Sequence, residues 1–290
     1  MINRFFQLAF TVLILAIVVG CDDDLPDNLT ADSAYAAELR ERLTQNVSAE
    51  GGSEEALAGP AGYGTIKGTF TFDGEVPALT QLTVSPECST GENVYDKSIA
   101  VDSATKGLAD VVIFLDKVPD AWVHESAKTP ATEEIIFDQK NCVFLTRVVA
   151  MHTAQRMKVL NSDPFGHNLK VKSFNQSIPA NGNGIFQSNK ADAVPQKMSC
   201  SVHPWMSAWF IGRDNTYFAV TNPDGTFEIP NVPAGVELTV KVWHERPKFI
   251  SGEVTQNGQP TKWKKGKLDL TVQPDSTTEL NVVLNASMFN

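Results

Sequence analysis

The fold of this chain is decided by residues 217–243, which read Tyr-Phe-Ala-Val-Thr-Asn-Pro-Asp-Gly-Thr-Phe-Glu-Ile-Pro-Asn-Val-Pro-Ala-Gly-Val-Glu-Leu-Thr-Val-Lys-Val-Trp. Apolar and polar residues alternate on both sides of Asp224-Gly225, which is the pattern of half-buried β-strands joined by a turn. A second turn signal, Pro233-Ala-Gly235, leads into another alternating run that ends at Trp243. The stretch therefore predicts three short strands connected by turns.

The same alternation of apolar and polar residues, with turn signals between the runs, extends over most of the chain. Thr65, Lys67, Thr69 and Thr71 alternate with apolar residues, and a turn signal follows at Asp73-Gly74. Further strands are predicted at Val111–Leu115, Glu134–Phe137, Val143–Val149, Arg156–Asn161, Asn168–Phe174, Trp209–Ile211, Lys267–Val272 and Glu279–Leu284. No long helical period interrupts them, so the sequence predicts an all-β protein built as β-sandwiches.

The first twenty residues are predicted to be a targeting segment. Arg4 precedes an apolar run from Phe5 to Val19, which is shorter than a membrane span requires. The run ends at Gly20-Cys21 and three aspartates follow, a junction that resembles the bacterial lipoprotein signal. The resemblance implies cleavage after residue 20, lipidation of Cys21, and a protein anchored to a membrane of the bacterial cell envelope, facing the periplasm or the exterior.

Acidic charge is concentrated near the start of the chain. The whole sequence carries a formal net charge of −10, and residues 21–62 contain ten acidic and two basic side chains. Such a charged segment is typical of a solvated, flexible tether. A chain with this charge balance does not favour a nucleic-acid partner, which requires clustered cations.

Two segments carry the residues that point to chemistry. Met198-Ser-Cys-Ser-Val-His-Pro-Trp-Met206 places Cys200, His203 and Met206 within seven residues, and Asn161-Ser-Asp-Pro-Phe-Gly-His-Asn168 contributes His167. Two imidazoles, a thiolate and a weak axial thioether form the ligand set of a blue copper site. The spacing brings the ligands together at one end of a sandwich, because the chain leaves a strand near Cys200 and returns directly. His167 and Cys200 are separated by 33 in sequence number, and the interval includes Ala180-Asn-Gly-Asn-Gly184 and predicts a mobile loop.

These two segments resemble the cupredoxins, and the short ligand loop is similar to that of amicyanin. The resemblance implies one type 1 copper ion held by His167, Cys200, His203 and Met206. It also implies supporting roles for Asn168 and Ser201, with the Asn168 amide donating to the thiolate and its side chain fixing the loop near Ser201. Electron transfer to a redox protein, such as a c-type cytochrome or a periplasmic dehydrogenase, is the expected function.

Residues 217–243 and the early segment 64–77 resemble the carboxypeptidase regulatory-like, transthyretin-like sandwich. The expected architecture is a cupredoxin-like Greek-key β-sandwich at residues 63–213 with a regulatory-like β-sandwich at residues 214–290. In the other arrangement, residues 63–120 belong to the regulatory-like module and the middle of the chain is inserted. The combination also resembles secreted bacterial lipoproteins labelled methylamine-utilisation proteins.

Two cysteines remain after Cys21 and Cys200 are assigned. An oxidising envelope compartment favours a disulfide between Cys88 and Cys142, and the other interpretation is a pair of buried free thiols. No nucleophile-elbow, zinc-protease or phosphate-loop motif is present in the sequence, so an enzyme is not predicted. Besides electron transfer, the sequence is compatible with a non-redox binding or structural lipoprotein, or with a copper-delivery protein.

Overall fold

The computed structural model describes residues 59–89 and 92–290. The predicted signal at residues 1–20, the predicted lipidation site Cys21 and nearly all of the predicted tether at 21–62 lie outside the described residues. Twenty strands form nearly half of the described chain and helices are few and short, so the all-β class predicted from the sequence is confirmed. Among the described residues, no helix has the length and apolarity that a membrane crossing needs.

The strands, in chain order, are β1 (Gly62–Asp73), β2 (Val112–Leu115), β3 (Glu134–Lys140), β4 (Val143–Phe144), β5 (Val148–His152), β6 (Arg156–Asn161), β7 (His167–Val171), β8 (Phe174–Ile178), β9 (Asn183–Gln187), β10 (Gln196–Ser199), β11 (Ser207–Arg213), β12 (Phe218–Val220), β13 (Thr226–Ala234), β14 (Glu237–His244), β15 (Lys248–Phe249), β16 (Gly252–Gln256), β17 (Gln259–Trp263), β18 (Lys267–Thr271), β19 (Thr277–Glu279) and β20 (Val282–Asn285). One short helix, α1 (Glu125–Lys128), and 3₁₀ turns at Pro86–Cys88, Asp120–Trp122 and Ala286–Phe289 complete the elements.

The strands form four sheets. The first has the order β13-β1-β20-β16-β17, with β19 also paired to β1, and the second has the order β12-β2-β14-β15, with β18 also paired to β14. The third has the order β5-β11-β10-β7-β8 and the fourth β4-β3-β6-β9. Strands β1 and β2 therefore pair with strands that follow residue 217, and residues 116–216 are inserted between β2 and β12, which are antiparallel neighbours.

Three apolar clusters lie between successive sheets. The first and second sheets enclose a core that includes Phe70 and Ile113, and the third and fourth sheets enclose another that includes Phe137 and Phe210. A smaller cluster joins the second sheet to the third and includes Phe114 and Ile211. All four residues of β2 are buried because its two faces contact different cores, which explains the uninterrupted apolar run.

The interval between His167 and Cys200 differs from the sequence expectation. Instead of a long loop, the structure places β8 and β9 there, separated by a turn in which the Gly182 amide donates to the Pro179 carbonyl at 3.0 Å. β8 pairs with β7 and β9 pairs with β6, so the interval links the third sheet to the fourth.

Candidate metal centre

The four predicted copper ligands lie at one end of the third sheet. His167 is the first residue of β7, and Cys200 follows the last residue of β10. Because β7 and β10 are antiparallel neighbours, the start of one lies beside the end of the other. His203 and Met206 lie in residues 200–206, hereafter the ligand turn, which connects β10 to β11.

Three of these side chains bring their donor atoms together. The donor atoms of His167, Cys200 and His203 all lie within 4.8 Å of one another, and each residue is at most 3 % exposed. Nδ1 of His167 is 2.9 Å from Nδ1 of His203, which in turn is 3.8 Å from the Sγ atom of Cys200. Two imidazole nitrogens facing each other at this distance need a proton or a cation between them, which is the arrangement that a metal site provides.

Met206 is held next to this cluster by the ligand turn. Its amide donates to the His203 carbonyl at 3.0 Å, and its carbonyl accepts from the Cys200 amide at 3.3 Å. The side chain is 1 % exposed and packs in the same apolar core as Cys200. The turn therefore keeps Met206 buried in the core that also contains Cys200.

A buried carboxylate, Asp163, fixes the orientation of the first imidazole. Its Oδ2 accepts from Nε2 of His167 at 2.7 Å, and its two oxygens accept from the amides of Asn141 and Cys142 at 2.7 and 2.9 Å. Because Nε2 carries the proton that it donates to the carboxylate, Nδ1 is left with a lone pair for a metal. Asp163 lies four residues before His167 in the segment 161–168, but the sequence pattern predicted no role for it.

The protonation states of the ligands fit a metal-binding thiolate. Burial would raise the pKa of Cys200, but hydrogen bonds from His167 and from the amides of His203, Val202 and Asn168 outweigh it and hold the pKa below its usual value. Burial also opposes protonation of His167, whereas its hydrogen bonds to Cys200 and Asp163 raise the pKa above the usual value. The pKa shift of Cys200 favours the thiolate, which is the form of cysteine that binds a metal, and a metal that takes Nδ1 of His167 would compete with a proton for that nitrogen.

His203 is enclosed on its outer edge by the segment around Glu87. Burial and the neighbouring His167 lower the pKa of His203. Its Nε2 is 3.5 Å from Oε1 of Glu87, and its ring is 2 % exposed. Glu87 was not singled out in the sequence, because its contact with His203 spans more than one hundred residues of chain.

The segment that bears Glu87 is fixed by a disulfide. Cys88 and Cys142 are joined, with their Cα atoms 5.7 Å apart. Both sulfurs lie within 4.8 Å of a ring nitrogen of His203. Cys200 is a buried free cysteine, so its sulfur remains a ligand atom.

Asn168 connects β7 to the ligand turn. Its Oδ1 accepts from the Ser201 amide at 2.9 Å, while its Nδ2 donates to the Gln176 carbonyl at 3.1 Å. Its backbone amide is among the groups that hold the pKa of Cys200 low. Asn168 therefore touches both the chain that carries the thiolate and the thiolate itself.

Aromatic rings surround the two imidazoles. The Trp205 ring lies 5.2 Å from that of His203, and Trp205 Nε1 donates to the Cys142 carbonyl at 3.0 Å. The Phe165 ring packs edge-on to His167 at 5.4 Å and lies 6.1 Å from His203. Both rings are partly exposed, and they separate the imidazoles from solvent.

Comparisons with known proteins give partial likenesses to solved structures. No family model matches the chain, and no curated protein matches it. A reduced Cu(I) form of a proline-to-glycine variant of amicyanin is similar over 29 % of this chain and 86 % of its own, with 14 % identity and a TM-score of 0.26. Amicyanin from Paracoccus versutus is similar over 35 % of this chain and 97 % of its own, with 17 % identity and a TM-score of 0.25.

Proposed function

We propose that this protein is an electron carrier that holds one type 1 copper ion on His167, Cys200, His203 and Met206. The observation that carries the proposal is the convergence of two imidazole Nδ1 atoms and one thiolate in a buried site. Two nitrogens, one thiolate and a weak thioether are the donors that blue copper sites use. A structural zinc is disfavoured because it usually takes four strong ligands, and Met206 is a weak one.

When bound, copper supplies one-electron exchange between Cu(II) and Cu(I). The residues of this chain would keep the same donors in place for both states. Asp163 holds His167 in one tautomer, and Asn168 holds the ligand turn through Ser201. The ligand side chains are buried, so bulk water is kept away from the position of the metal. Such a rigid, closed site favours electron transfer over bond-making chemistry.

The proposal includes a partner and a location that rest on the sequence alone. A redox protein of the cell envelope, such as a c-type cytochrome or a dehydrogenase, would supply or accept the electron. Attachment to a membrane through lipidated Cys21 would keep the carrier near that partner. Mass spectrometry of the purified protein tests the attachment, because a lipidated chain begins at Cys21 and carries acyl mass.

Adding Cu(II) to the apo-protein and recording its visible spectrum tests the copper site. We expect one equivalent to give an intense thiolate-to-copper band, which Cys200→Ser abolishes. Met206→Leu is expected to keep the band and to shift the reduction potential, because the axial ligand tunes it. His124→Gln is the matched control, because His124 is bonded to Ser126 and Tyr217 away from the site. A wild-type protein that binds one Cu(II) without colour, or binds none, would contradict the proposal.

A further inference from the structure

A cleft of about 1000 Å³ opens beside the ligand turn. Trp205, Met206 and Ser207 form part of its wall, and the rest comes mainly from residues 92–98, 140–147 and 245–248. The cleft therefore reaches the residue predicted to be the axial copper ligand. Its volume is in the range of pockets that hold small molecules rather than of flat protein interfaces.

The cleft is positively charged although the protein is acidic. Glu245 is neutralised by Arg147, with Nε to Oε1 at 2.5 Å and a second contact of 2.6 Å. The formal net charge of the whole chain is −10. The charged residues that line the cleft are the cations Lys97, Lys140, Arg147, Lys197, Arg246 and Lys248 and the carboxylates Glu92, Asp96 and Glu245. After the Arg147–Glu245 pair is set aside, the cleft keeps five cations and two carboxylates.

The cations are close enough to repel one another. Burial lowers the pKa of Lys248, and the nearby Lys197 and Arg246 lower it further, although Glu245 opposes them. The Lys248 ammonium lies over the Trp209 ring at 4.0 Å and donates to the Glu245 backbone carbonyl at 2.7 Å, so neutral groups rather than a carboxylate hold it in place. Since like charges held together cost free energy, an anion that enters the cleft would relieve that cost.

The cleft also lies close to the imidazoles on their positively charged side. The outer edge of His203 faces Glu87, which is negatively charged and would repel anions. Trp205, in contrast, lies 5.2 Å from His203 on one side and lines the cleft on the other. An anion in the cleft would thus lie one aromatic ring away from a copper ligand.

We propose that this cleft binds a small anion and is the place where anionic electron donors or acceptors exchange electrons with the copper centre. The electron-exchange part rests on the proposed function, whereas the binding part does not. For a one-electron acceptor such as hexacyanoferrate(III), the step is Cu(I) to Cu(II) with reduction of the iron to hexacyanoferrate(II), and no proton moves.

The kinetic experiment compares an anionic oxidant with a cationic one. Reduced copper protein is mixed with hexacyanoferrate(III) or with tris(phenanthroline)cobalt(III) at ionic strengths from about 10 to about 200 mM, a range over which screening changes strongly. The net charge of −10 alone predicts a hexacyanoferrate(III) rate that rises with salt. We expect the opposite, a rate that saturates with oxidant concentration and falls with salt.

Charge-reversal variants test whether the lysines of the cleft cause the salt dependence of the hexacyanoferrate(III) rate. We expect Lys140→Glu with Lys197→Glu to lower the hexacyanoferrate(III) rate at least about tenfold at low salt and to raise the cobalt rate. The control, Lys170→Glu with Lys262→Glu, changes the net charge equally at exposed lysines that do not line the cleft. Equal effects of the two double variants would overturn the proposal.

A second measurement does not depend on copper. Hexacyanocobaltate(III), an inert anion of the same shape and charge, is titrated calorimetrically into the apo-protein. We expect one site, absent in Lys140→Glu with Lys197→Glu and retained in the control. Binding without a blue copper spectrum would reject the proposed function and keep the cleft as an anion site. A blue protein with no anion binding would reject the cleft.

Discussion

Asp163 is the residue whose contact with the candidate site would most directly tune a bound metal. Its carboxylate accepts from His167 Nε2 at 2.7 Å and is 4 % exposed. In Asp163→Asn the charge beside the imidazole is lost, and the ring becomes a weaker donor. We expect the Cu(II) affinity to fall about 10- to 100-fold and the reduction potential to rise, because Cu(II) loses more stabilisation than Cu(I).

Competition titration with a Cu(II) chelator and redox titration measure both effects of Asp163→Asn. Asp138→Asn is the control, because Asp138 bonds to Ser162 Oγ at 2.8 Å and makes no bond to a histidine. An Asp163→Asn protein with the affinity and potential of the wild type would show that the carboxylate has no influence on the metal.

Asp110 gives a stability effect that depends on pH. Burial, with a contribution from Glu245, raises its pKa to about 6, although Arg147 opposes the shift. Because the folded-state pKa lies above the unfolded value, the folded protein is favoured by protonation below about pH 4 and loses that advantage as the pH rises through 6. Asp110→Asn should therefore raise the free energy of unfolding by about 1–3 kcal/mol at pH 7 and leave it unchanged near pH 4.

Thermal unfolding of Asp110→Asn at both pH values checks this prediction. Asparagine suits the site sterically, because Asp110 has a φ of 64° and asparagine tolerates the left-handed region. Asp102→Asn provides a contrast. Hydrogen bonds from Thr105 lower the pKa of Asp102, so its replacement should reduce stability at pH 7. A stabilisation by Asp110→Asn that is the same at both pH values would exclude titration as its cause.

That His167, Cys200 and His203 lie close together could be predicted from sequence, whereas the contacts that support them could not. Cys200, His203 and Met206 lie within seven residues of one another, so a single turn is enough to bring them together. Glu87 and Asp163 act through contacts that depend on how separate segments meet in three dimensions. The large cleft was missed for the same reason, since its lysines come from distant parts of the chain.

At the scale of elements, the hairpin of β16 and β17 was not predicted, although the sequence carries its signal. Asn257-Gly258 joins the two strands, and both residues have positive φ, 48° and 78°. An Asn-Gly pair with this conformation is the favoured two-residue hairpin turn. The flanking strands are rich in polar residues such as Gln256 and Lys262, so their apolar alternation is weak. The Asn-Gly turn signal would have predicted this hairpin, although the alternation of apolar residues did not.

The placement of β1 and β2 could not be predicted from sequence for a different reason. The alternating residues of β1 and the apolar run of β2 fit either sandwich, because such a pattern indicates which faces are buried but not which strand is the neighbour. The partners are selected by close packing across the sheet. A Cβ atom at Gly68 of β1, for example, would lie 2.0 Å from the Leu280 carbonyl oxygen, so β1 accepts β19 and β20 only through a glycine.

The disulfide-bonded segment around Glu87 should control access to His203. The bridge closes a sequence separation of 54 residues, and the chain-entropy account gives it about 4 kcal/mol of stabilisation. In Cys88→Ser with Cys142→Ser we expect a loss of about 2–4 kcal/mol and faster copper removal by a chelator, because the segment no longer covers the imidazole. Modification of His203 by diethyl pyrocarbonate in the apo-protein should also accelerate.

Ser89→Ala is the control for the disulfide variant. Ser89 is exposed in the same segment and its hydroxyl donates to the Pro86 carbonyl at 2.8 Å. We expect it to change none of the three measurements. If the double variant lost stability but kept the wild-type rates of copper removal and histidine modification, the segment would be structural without covering the ligand.

At the scale of the whole molecule, the small cluster between the second and third sheets should make the two sandwiches unfold together. Ile211 and Phe114 are fully buried in it. Ile211→Ala is expected to cost about 2–5 kcal/mol and to lower a single unfolding transition seen both by circular dichroism and by the copper band. The control Ile185→Ala should have little effect, because Ile185 is 45 % exposed. Two separated transitions in the wild type would contradict this coupling.

The inserted sandwich leaves and rejoins the other one at adjacent positions. The chain departs after Leu115 and returns to β12 at Phe218, which faces Phe114 across the sheet. A module joined by a single linker can rotate about that linker, but this one is connected at both ends and packs on the second sheet through the cluster that includes Phe114 and Ile211. Reorientation toward a docking partner then has to come from tumbling of the entire body. The association rate with a partner would then be limited by rotational diffusion of the whole protein rather than by motion about a hinge.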